Sequence, residues 1–307
     1  MMKILVVGAG AVGGYFGGRL AEKGEDVTFL VRERRAEELE RTGLEIVSPH
    51  GDVSLTPRLI QVGTKETFDL VIVSTKAYHL EHVIGDLEGF VGPDTYVLPV
   101  LNGMRHVEQL VAKFGEPRVL GGLCFIESTL DANGRVIQTS PAHQLVFGPR
   151  TGDWTDRLLE VKEALAGTKA SIKASDHIMQ DMWQKYLFIT TFSGVTSLFR
   201  APIGPIRDDA AGDRVIRNVL REAKQAMDSQ GATFVQHIEQ EQEKRIHQMA
   251  PDMKSSLQRD MEKQGMVEAD HLFGNLIYVS YPSLYPTLRM IHTNLKIYER
   301  LRSGVSD

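Results

Sequence analysis

Three closely spaced glycines near the start of the chain are the first residues whose types and spacing could do chemistry. Gly8, Gly10 and Gly13 follow the pattern G-x-G-x-x-G, in which the first glycine permits a tight turn and the second lets a pyrophosphate approach the backbone. The third glycine lets a helix pack closely on a strand. Together with the intervening Ala11 and Val12, these residues form a candidate nucleotide-binding loop.

The elements around this loop decide what the pattern means, because glycines at this spacing also occur by chance. A continuous apolar run at 4–7 predicts a strand that is buried on both faces, residues 15–23 have helical spacing, and a second apolar run covers 27–31. A strand, a glycine loop, a helix and a second strand in this order predict a dinucleotide site, with the pyrophosphate at the helix N-terminus. The alternative is a tight turn in a flavodoxin-like fold that binds no nucleotide.

A cationic residue follows the second predicted strand. NAD and FAD sites usually place Asp or Glu there, which accepts a hydrogen bond from the ribose 2′-hydroxyl. Here the residue is Arg32, and a guanidinium can hold a 2′-phosphate through two charge-assisted hydrogen bonds. We therefore predict NADPH as the cofactor. The alternative is a solvated basic patch at the start of a helix.

Two further polar residues follow predicted strands. Lys76 comes directly after an apolar run that begins at residue 71, and Asn102 follows the run 97–101. Since ligands of open α/β sheets bind beyond the carboxyl ends of the strands, Lys76 is expected near the nicotinamide, where it could pair with a substrate carboxylate. The Asn102 amide could bind the substrate or the cofactor carboxamide. Taken singly, each could be an ordinary solvated lysine or an Asn-Gly turn.

The order of the predicted elements indicates two domains in an α/β fold. Strands and helices alternate up to about residue 174, as is typical of a doubly wound Rossmann sheet. Two short apolar runs, 44–47 and 53–55, flank a turn and predict a hairpin. Helical periodicity dominates later in the chain, over residues 178–199, 215–230, 239–249, 272–279 and 287–302. We predict a Rossmann domain over 1–174 and an all-α domain over 175–307.

Composition excludes several classes of protein. Among the 307 residues, 35 Lys and Arg stand against 40 Asp and Glu, and the net charge of −5 argues against a dedicated nucleic-acid binder. A single cysteine, Cys124, excludes an intramolecular disulfide, and the ten histidines show no metal-ligand spacing, so no metal is expected. Neither a membrane-spanning run nor a signal-peptide cleavage pattern is present, which predicts a cytoplasmic protein without a membrane partner.

Several motifs, in the correct order over residues 3–274, resemble the ketopantoate reductase family (2-dehydropantoate 2-reductases). They are Gly-Ala-Gly-Ala-Val-Gly at 8–13, Arg32, Ser-Thr-Lys-Ala at 74–77, Leu-Asn-Gly-Met at 101–104, Trp183-x-Lys185, and Ser256 followed by Glu268-x-Asp270. Other dehydrogenases share the N-terminal motifs, whereas the elements around Lys185, Ser256 and Glu268 are specific to this family.

The resemblance implies a catalytic role for Lys185, which in relatives donates the proton to the keto oxygen as hydride arrives from the nicotinamide. A cation at that oxygen stabilises the charge that develops in the transition state. The resemblance also implies that Glu268 binds a terminal hydroxyl of the substrate, while Ser256 and Asn102 position its carboxylate end. The predicted catalytic set therefore consists of Lys76, Lys185 and Glu268. From helical periodicity alone, Lys185 would be the polar edge of an amphipathic helix, and Glu268 a first-turn acid of the next helix.

The helix that carries the lysine departs from the family pattern. Relatives usually have asparagines four and eight residues after the lysine, on the same helical face, and here these positions hold Ile189 and Ser193. Ser193 is retained as a predicted substrate-binding residue. The departure leaves reductase chemistry in place and opens the identity of the 2-keto acid.

Three hypotheses follow for the activity. The first is NADPH-dependent reduction of ketopantoate to pantoate in coenzyme A biosynthesis, and the second is the same hydride chemistry on a different small 2-keto acid. The third is a sensor that binds NADPH without turnover, which would need no proton donor such as Lys185. A helical face in the C-terminal half could also support a homodimer.

Overall fold

The computed structural model describes residues 1–278, 281 and 283–303, and the chain divides into two compact units. The first unit comprises Met1–Leu101 and His106–Ile178, and the second comprises Asn102–Arg105 together with the chain from Met179 onward. The boundary predicted after residue 174 falls at the last residue of a strand. The short segment Asn102–Arg105 therefore belongs with the helical unit, although it follows a strand of the first.

The first unit is built from strands that alternate with helices over much of its length. Its strands are β1 (Lys3–Val7), β2 (Asp26–Leu30), β3 (Leu44–Val47), β4 (Val53–Leu55), β5 (Arg58–Ile60), β6 (Leu70–Val73), β7 (Tyr96–Pro99), β8 (Gly121–Leu130), β9 (Val136–Gly148) and β10 (Ser171–Ala174). Its helices are α1 (Ala11–Lys23), α2 (Glu33–Thr42), α3 (Leu80–Asp86), α4 (Arg105–Phe114) and α5 (Asp156–Leu165).

Five parallel strands form the sheet that the apolar runs predict. Their order is β5-β2-β1-β6-β7, so β1 is central and the strand order reverses between β1 and β6. The four residues of β6 are all buried, which explains their continuous apolar pattern. Pro99 ends the edge strand β7, where its missing N–H removes no essential ladder bond. The predicted Rossmann-type arrangement is confirmed.

A second sheet covers the other side of this unit, and the sequence did not predict it. Its order is β10-β9-β3-β4, with β8 paired antiparallel to β9. The predicted hairpin of β3 and β4 is present and antiparallel, but it lies in this second sheet. The same holds for β8, whose apolar start resembles a strand of the parallel sheet. Which sheet a strand joins depends on long-range pairing, and local periodicity does not contain that information.

Helix α1 packs between the two sheets, and its glycines allow this close approach. A Cβ at Gly17 would lie 2.8 Å from the Phe29 ring of β2. On the opposite side, a Cβ at Gly18 would lie 2.6 Å from Ile46 Cδ1 of β3. Because larger side chains would push both sheets away, the glycine-rich sequence of α1 is explained by packing on two faces.

The described part of the second unit is helical, as predicted. Its helices are α6 (Ile178–Phe199), α7 (Ile203–Asp208), α8 (Ala210–Asp228), α9 (Ile238–Gln248), α10 (Ser256–Glu262), α11 (Asn275–Ile277) and α12 (Pro286–Ser303). The helix predicted over 272–279 is instead a π-helical turn, Asp270–Gly274, that leads into α11, and residue 279 lies outside the described residues. Within the described ranges, no helix has the length and apolar character needed to cross a membrane.

Helix α6 packs against α12 and the π-helical turn of the second unit. A Cβ at Gly194 would lie 3.1 Å from Ile291 Cδ1 of α12 and 3.3 Å from Phe273 Cε1 of the π-helical turn. The buried hydroxyls of Thr191, Thr196 and Ser197 donate to carbonyls one turn back along the helix, as when Thr191 Oγ1 donates to the Leu187 carbonyl at 2.9 Å. From its sequence, α6 could be an amphipathic helix with Lys185 at the polar edge. In the structure, most of its surface is buried.

Candidate functional site

The glycine loop connects β1 to α1 and leaves space at the start of the helix. Gly8 has φ = +94°, a left-handed conformation that favours glycine, and Gly10 is the N-cap residue of α1. A Cβ at Gly10 would meet no atom within 4 Å, whereas a Cβ at Gly13 would collide with the Gly8 carbonyl oxygen. Ala11, Val12 and Gly13 form the first turn, whose N–H groups have no partners within the helix. The loop therefore fits a pyrophosphate, which needs open space and N–H donors.

The end of β6 holds the loop in this shape. Ser74 Oγ lies 3.0 Å from each of the carbonyl oxygens of Val7 and Gly8, to which it donates, and Ser74 N donates to the Val7 carbonyl. The sequence motif included Ser74 without a role, and no local pattern signals a contact made across 66 residues. Ser74 is thus a structural support of the candidate nucleotide loop.

Arg32 and Arg35 differ in their surroundings. Arg32 is the N-cap residue of α2, directly after the carboxyl end of β2, and it is exposed. Arg35 instead donates from Nε to the Ala9 carbonyl at 3.1 Å and from NH2 to the Gly134 carbonyl at 3.0 Å. Arg35 therefore supports the glycine loop, and Arg32 is placed where a ligand beyond β2 could reach it.

A short turn after β6 contributes one further cation, Lys76, to the same unit. Lys76 is exposed and caps the turn Ala77–His79. Partial burial, followed by the positive charges of Arg32 and His82, lowers the pKa of His79. The carboxyl ends of β2 and β6 thus place positive charge on both sides of the glycine loop.

The second unit brings Lys185 and Asn102 together. Lys185 is only 5% exposed, and its Nζ donates to Asn102 Oδ1 at 2.9 Å. Asn102 lies on a turn whose next residue, Gly103, has φ = +79°. A buried ammonium needs such hydrogen bonding, because burial without a partner would strongly disfavour its charge. The pairing makes this lysine the best-defined candidate for chemistry in the unit.

The remaining predicted residues of this unit lie on separate elements. Ser193 is two turns after Lys185 on α6 and is 3% exposed, whereas Ser256 is exposed in the first turn of α10. Glu268 is partly buried, just before the π-helical turn. Ser255, which the sequence did not single out, caps α10 and bonds to Thr196 Oγ1 at 2.8 Å. Their roles toward a substrate stay predictions.

The described side chains include no candidate metal cluster. Across residues 1–278, 281 and 283–303, no group of three or more His, Cys, Asp or Glu could hold a metal ion. The groups that the two units do present, an open glycine loop and a buried lysine, suit an organic cofactor and a proton donor.

A Rossmann-type unit with an open glycine loop, combined with a helical unit that buries a lysine against an asparagine, defines a nucleotide-dependent oxidoreductase. Family models agree with this class: "Ketopantoate reductase PanE/ApbA" matches residues 4–152, and its C-terminal counterpart matches residues 177–299. The chain belongs to the ketopantoate reductase family, whose Rossmann-type domain binds a nicotinamide cofactor.

Individual relatives support the assignment over the full length. The chain is 46% identical to the uncharacterized oxidoreductase YkpB of Bacillus subtilis, an alignment covering 97% of this chain and 99% of the relative. It is 24% identical to the 2-dehydropantoate 2-reductase of Nostoc sp., covering 90% and 88%. The crystal structure of 2-dehydropantoate 2-reductase from Geobacter metallireducens superimposes with a TM-score of 0.85 at 26% identity, covering 96% and 99%.

Proposed function

We propose that the protein reduces a small 2-keto acid with NADPH, and that 2-dehydropantoate, which becomes pantoate, is its first candidate substrate. One observation carries the proposal: a buried lysine, Lys185, is fixed by a 2.9 Å hydrogen bond to Asn102 Oδ1. Family membership and relatives named 2-dehydropantoate 2-reductase support the same reaction.

The first unit supplies the groups that would hold NADPH. The loop from Gly8 to Gly13 would bind the pyrophosphate through its N–H groups, and the exposed Arg32 would pair with the 2′-phosphate. Lys76 would contribute positive charge toward the nicotinamide side. When bound, NADPH supplies the hydride for the reduction.

Lys185 would do the protein's part of the chemistry. Reduction of a ketone builds negative charge on its oxygen, and an ammonium placed at that oxygen stabilises the transition state more than the ground state. The ammonium then gives its proton to the oxygen and completes the alcohol. Asn102 Oδ1 accepts one of the three Nζ hydrogens, which leaves the ammonium oriented for the transfer.

We assign substrate binding to four polar residues that the sequence analysis singled out besides Lys185. Glu268 would accept a hydrogen bond from a terminal hydroxyl, Asn102 and Ser256 would position the carboxylate end, and Ser193 would contact the substrate from α6. The roles of Glu268, Asn102 and Ser256 come from the family resemblance, and the kinetics of substituted proteins with different 2-keto acids test all four assignments.

A second candidate is reduction of a different 2-keto acid, and Ile189 favours it. Ile189 follows Lys185 by one helical turn and is partly exposed, so an apolar side chain stands where relatives have an amide. Under this candidate, Ile189→Asn should raise kcat/KM for ketopantoate relative to 2-keto acids with apolar chains by about tenfold, since a buried polar contact is worth ~1 kcal/mol or more. An unchanged ratio would contradict a role for Ile189 in specificity.

The cellular setting forms part of the same proposal. We assign the protein to the cytoplasm and to the synthesis of pantoate for coenzyme A, and we propose a homodimer as its assembly. A ketopantoate reductase from Staphylococcus aureus is described as dimeric, which makes gel filtration with light scattering the direct test here.

The decisive experiment follows NADPH absorbance with purified protein and a panel of 2-keto acids. Rapid turnover of ketopantoate supports the first candidate, and turnover of another acid alone supports the second. NADPH binding without turnover on any acid contradicts the reductase proposal and supports a sensor. Tighter binding of NADH than of NADPH would contradict the assigned cofactor.

A further inference from the structure

His271 contacts the backbone of the turn that carries Asn102. It lies in the π-helical turn Asp270–Gly274, and its Nε2 is hydrogen-bonded to the Asn102 carbonyl oxygen. A carbonyl oxygen only accepts, so Nε2 bears the hydrogen and donates it. A Cβ at Gly103 would lie 3.0 Å from the same nitrogen, so the imidazole packs directly on this turn.

The π-helical turn is itself attached to the helix that carries the lysine. Tyr186, the neighbour of Lys185 on α6, donates its hydroxyl to the Leu272 carbonyl at 2.8 Å. Complete burial raises the pKa of Tyr186, so the hydroxyl remains a donor at all working pH values. The turn that presents His271 therefore has a fixed position relative to α6.

A second set of contacts ties the turn to the segment that follows Asn102. Arg105 NH1 donates to Asn275 Oδ1 at 2.6 Å, and Asn275 Nδ2 donates to the His271 carbonyl at 3.2 Å. With the His271–Asn102 and Lys185–Asn102 bonds, these contacts form a closed set. It joins α6, the π-helical turn and the segment Asn102–Arg105.

Helix α12 supports the turn from its other side. Asp270 accepts hydrogen bonds from Lys296 Nζ and His292 Nε2, each at 2.8 Å. Burial opposes ionisation of Asp270, but the hydrogen bonds from Lys296 and His292 outweigh it and lower the pKa of this carboxyl. Asp270, the residue before His271 in the π-helical turn, is thus held in place by hydrogen bonds from α12. A π-helical turn at such a place is typical of functional sites.

We infer that His271 is a positioning residue, which holds the Asn102 turn so that Asn102 Oδ1 orients the Lys185 ammonium. The inference rests on the proposed function in one respect, namely that Lys185 donates the proton. Asn102 precedes a glycine in a left-handed conformation, and such a turn has little stiffness of its own. The His271 donor supplies the constraint, and its loss leaves the Asn102 carbonyl without this hydrogen bond.

Two substitutions separate the hydrogen bond from the bulk of the ring. His271→Phe keeps an aromatic ring without the donor, and His271→Gln keeps an N–H near the position of Nε2. We expect His271→Phe to lower kcat by about 10- to 100-fold with KM for NADPH unchanged, since small misplacements of catalytic groups have effects of this size. His271→Gln should retain most of kcat. The matched control is His247→Phe, because His247 Nδ1 also bonds a backbone carbonyl, that of Glu243, at 2.8 Å.

A double-mutant cycle tests the route through Asn102. In an Asn102→Ala background, His271→Phe should reduce kcat no further, because the amide that it positions is gone. Additive losses would overturn the inference. So would wild-type kcat in His271→Phe, or a loss in His271→Gln as large as that in His271→Phe. Should His271→Phe fold poorly, His271→Leu, which also lacks the donor, takes its place in the same cycle with the same expected and contradicting outcomes.

A readout without turnover distinguishes this inference from the proposed function. The rate of Lys185 acylation by an N-hydroxysuccinimide acetate, followed by mass spectrometry, should rise several-fold in His271→Phe and stay at the wild-type value in His271→Gln. This result in a protein that reduces no 2-keto acid would overturn the proposed function and keep the positioning role. Normal turnover with unchanged acylation in His271→Phe would overturn the positioning role alone.

Discussion

Lys185 is the residue to which the proposal assigns the proton transfer. Lys185→Met keeps the unbranched apolar stem of the buried side chain and removes the ammonium. We expect kcat to fall by about 10²- to 10⁴-fold, the usual contribution of a general acid, while the dissociation constant of NADPH stays near its wild-type value. Stopped-flow kinetics and fluorescence titration of NADPH measure the two quantities.

The matched control for this substitution is Lys224→Met. Lys224 lies on α8 in the same unit, pairs with Asp228 at 2.7 Å and is none of the assigned site residues. It should keep the wild-type kcat. Near-normal turnover in Lys185→Met, or an equal loss in the control, would remove Lys185 from its assigned role.

The proposed function assigns to Arg32 the choice between the two nicotinamide nucleotides. Arg32→Ala should weaken NADPH binding by about 10- to 100-fold, since a hydrogen bond to a charged group contributes ~1.5–3 kcal/mol, and it should leave NADH binding nearly unchanged. Arg34→Ala, at the next exposed arginine in the first turn of α2, is the control. Isothermal titration with each nucleotide measures the effect. An equal loss of affinity for NADPH and NADH would mean that Arg32 attracts either nucleotide by its charge and does not contact the 2′-phosphate specifically.

At the level of single residues, the sequence singles out candidate side chains but does not give their arrangement. Lys185 and Asn102 were both singled out, but 83 residues separate them, and only the folded chain shows their 2.9 Å contact. His271 and Arg35 were missed as functional supports. A lone histidine or arginine carries no spacing signal, and the groups that they contact are backbone carbonyls of distant segments.

The loop between β1 and α1 permits a prediction at the level of an element. At Gly10 a methyl group would meet no neighbouring atom, so Gly10→Ala should cost no more than about 1 kcal/mol of folding stability, the usual difference between Gly and Ala at an N-cap. The same methyl should weaken NADPH binding at least tenfold, because it fills the space that the pyrophosphate needs. Gly13→Ala would collide with the Gly8 carbonyl and should destabilise the protein by about 1–3 kcal/mol or more.

Urea unfolding and nucleotide titration of the two variants measure this contrast. The prediction requires the two losses to fall on different properties: affinity at Gly10 and stability at Gly13. An unchanged NADPH affinity in Gly10→Ala would mean that the space above Gly10 is not a ligand cradle, and wild-type stability of Gly13→Ala would contradict the packing argument.

At the same level, short-range pattern predicted the parallel sheet and failed for the second sheet. Strands β1, β2 and β6 are short apolar runs buried on both faces, a pattern that is typical of central strands in a parallel sheet. Strand β9 spans 13 residues, but its burial alternates only near the two ends, and its middle is exposed or partly buried and contains a proline, so its sequence resembles irregular structure. The helix expected over 272–279 became a π-helical turn, since that choice depends on tertiary contacts such as the Tyr186 hydroxyl on Leu272.

Considered as a whole, the molecule carries a net charge of −5, which gives little indication of the ligands that we propose. The cations assigned to anionic groups are local: Arg32 and Lys76 in the first unit and Lys185 in the second. A property that does belong to a whole unit is its stability as a function of pH, and for the first unit the structure points to His143.

His143 of β9 contacts the turn between β3 and β4 through His50, and it contacts α1 through Tyr15. Its ring stacks on His50 with centroids 3.5 Å apart, and its Nδ1 bonds the Tyr15 hydroxyl of α1 at 2.7 Å. Burial, followed by the positive charges of His50 and Arg19, lowers the pKa of His143 from 6.5. Two imidazoles stacked this closely beside the buried Arg19 cannot readily both be protonated.

The first unit should therefore lose stability in mild acid. Above about pH 7, His143 is neutral in both the folded and the unfolded states and contributes no pH dependence. As the pH falls through 6.5, the unfolded chain binds a proton that the folded unit resists, so the free energy of unfolding decreases until the lowered folded-state pKa is reached. Hydrogen exchange of peptides from α1 and β9, measured between about pH 5.5 and 7.5 with correction for intrinsic exchange, reports this loss. His143→Asn, whose amide oxygen can accept from Tyr15, should show a smaller decrease, and the exposed His177→Asn should behave as the wild type. An identical pH dependence in all three proteins would mean that other groups control the acid sensitivity of this unit.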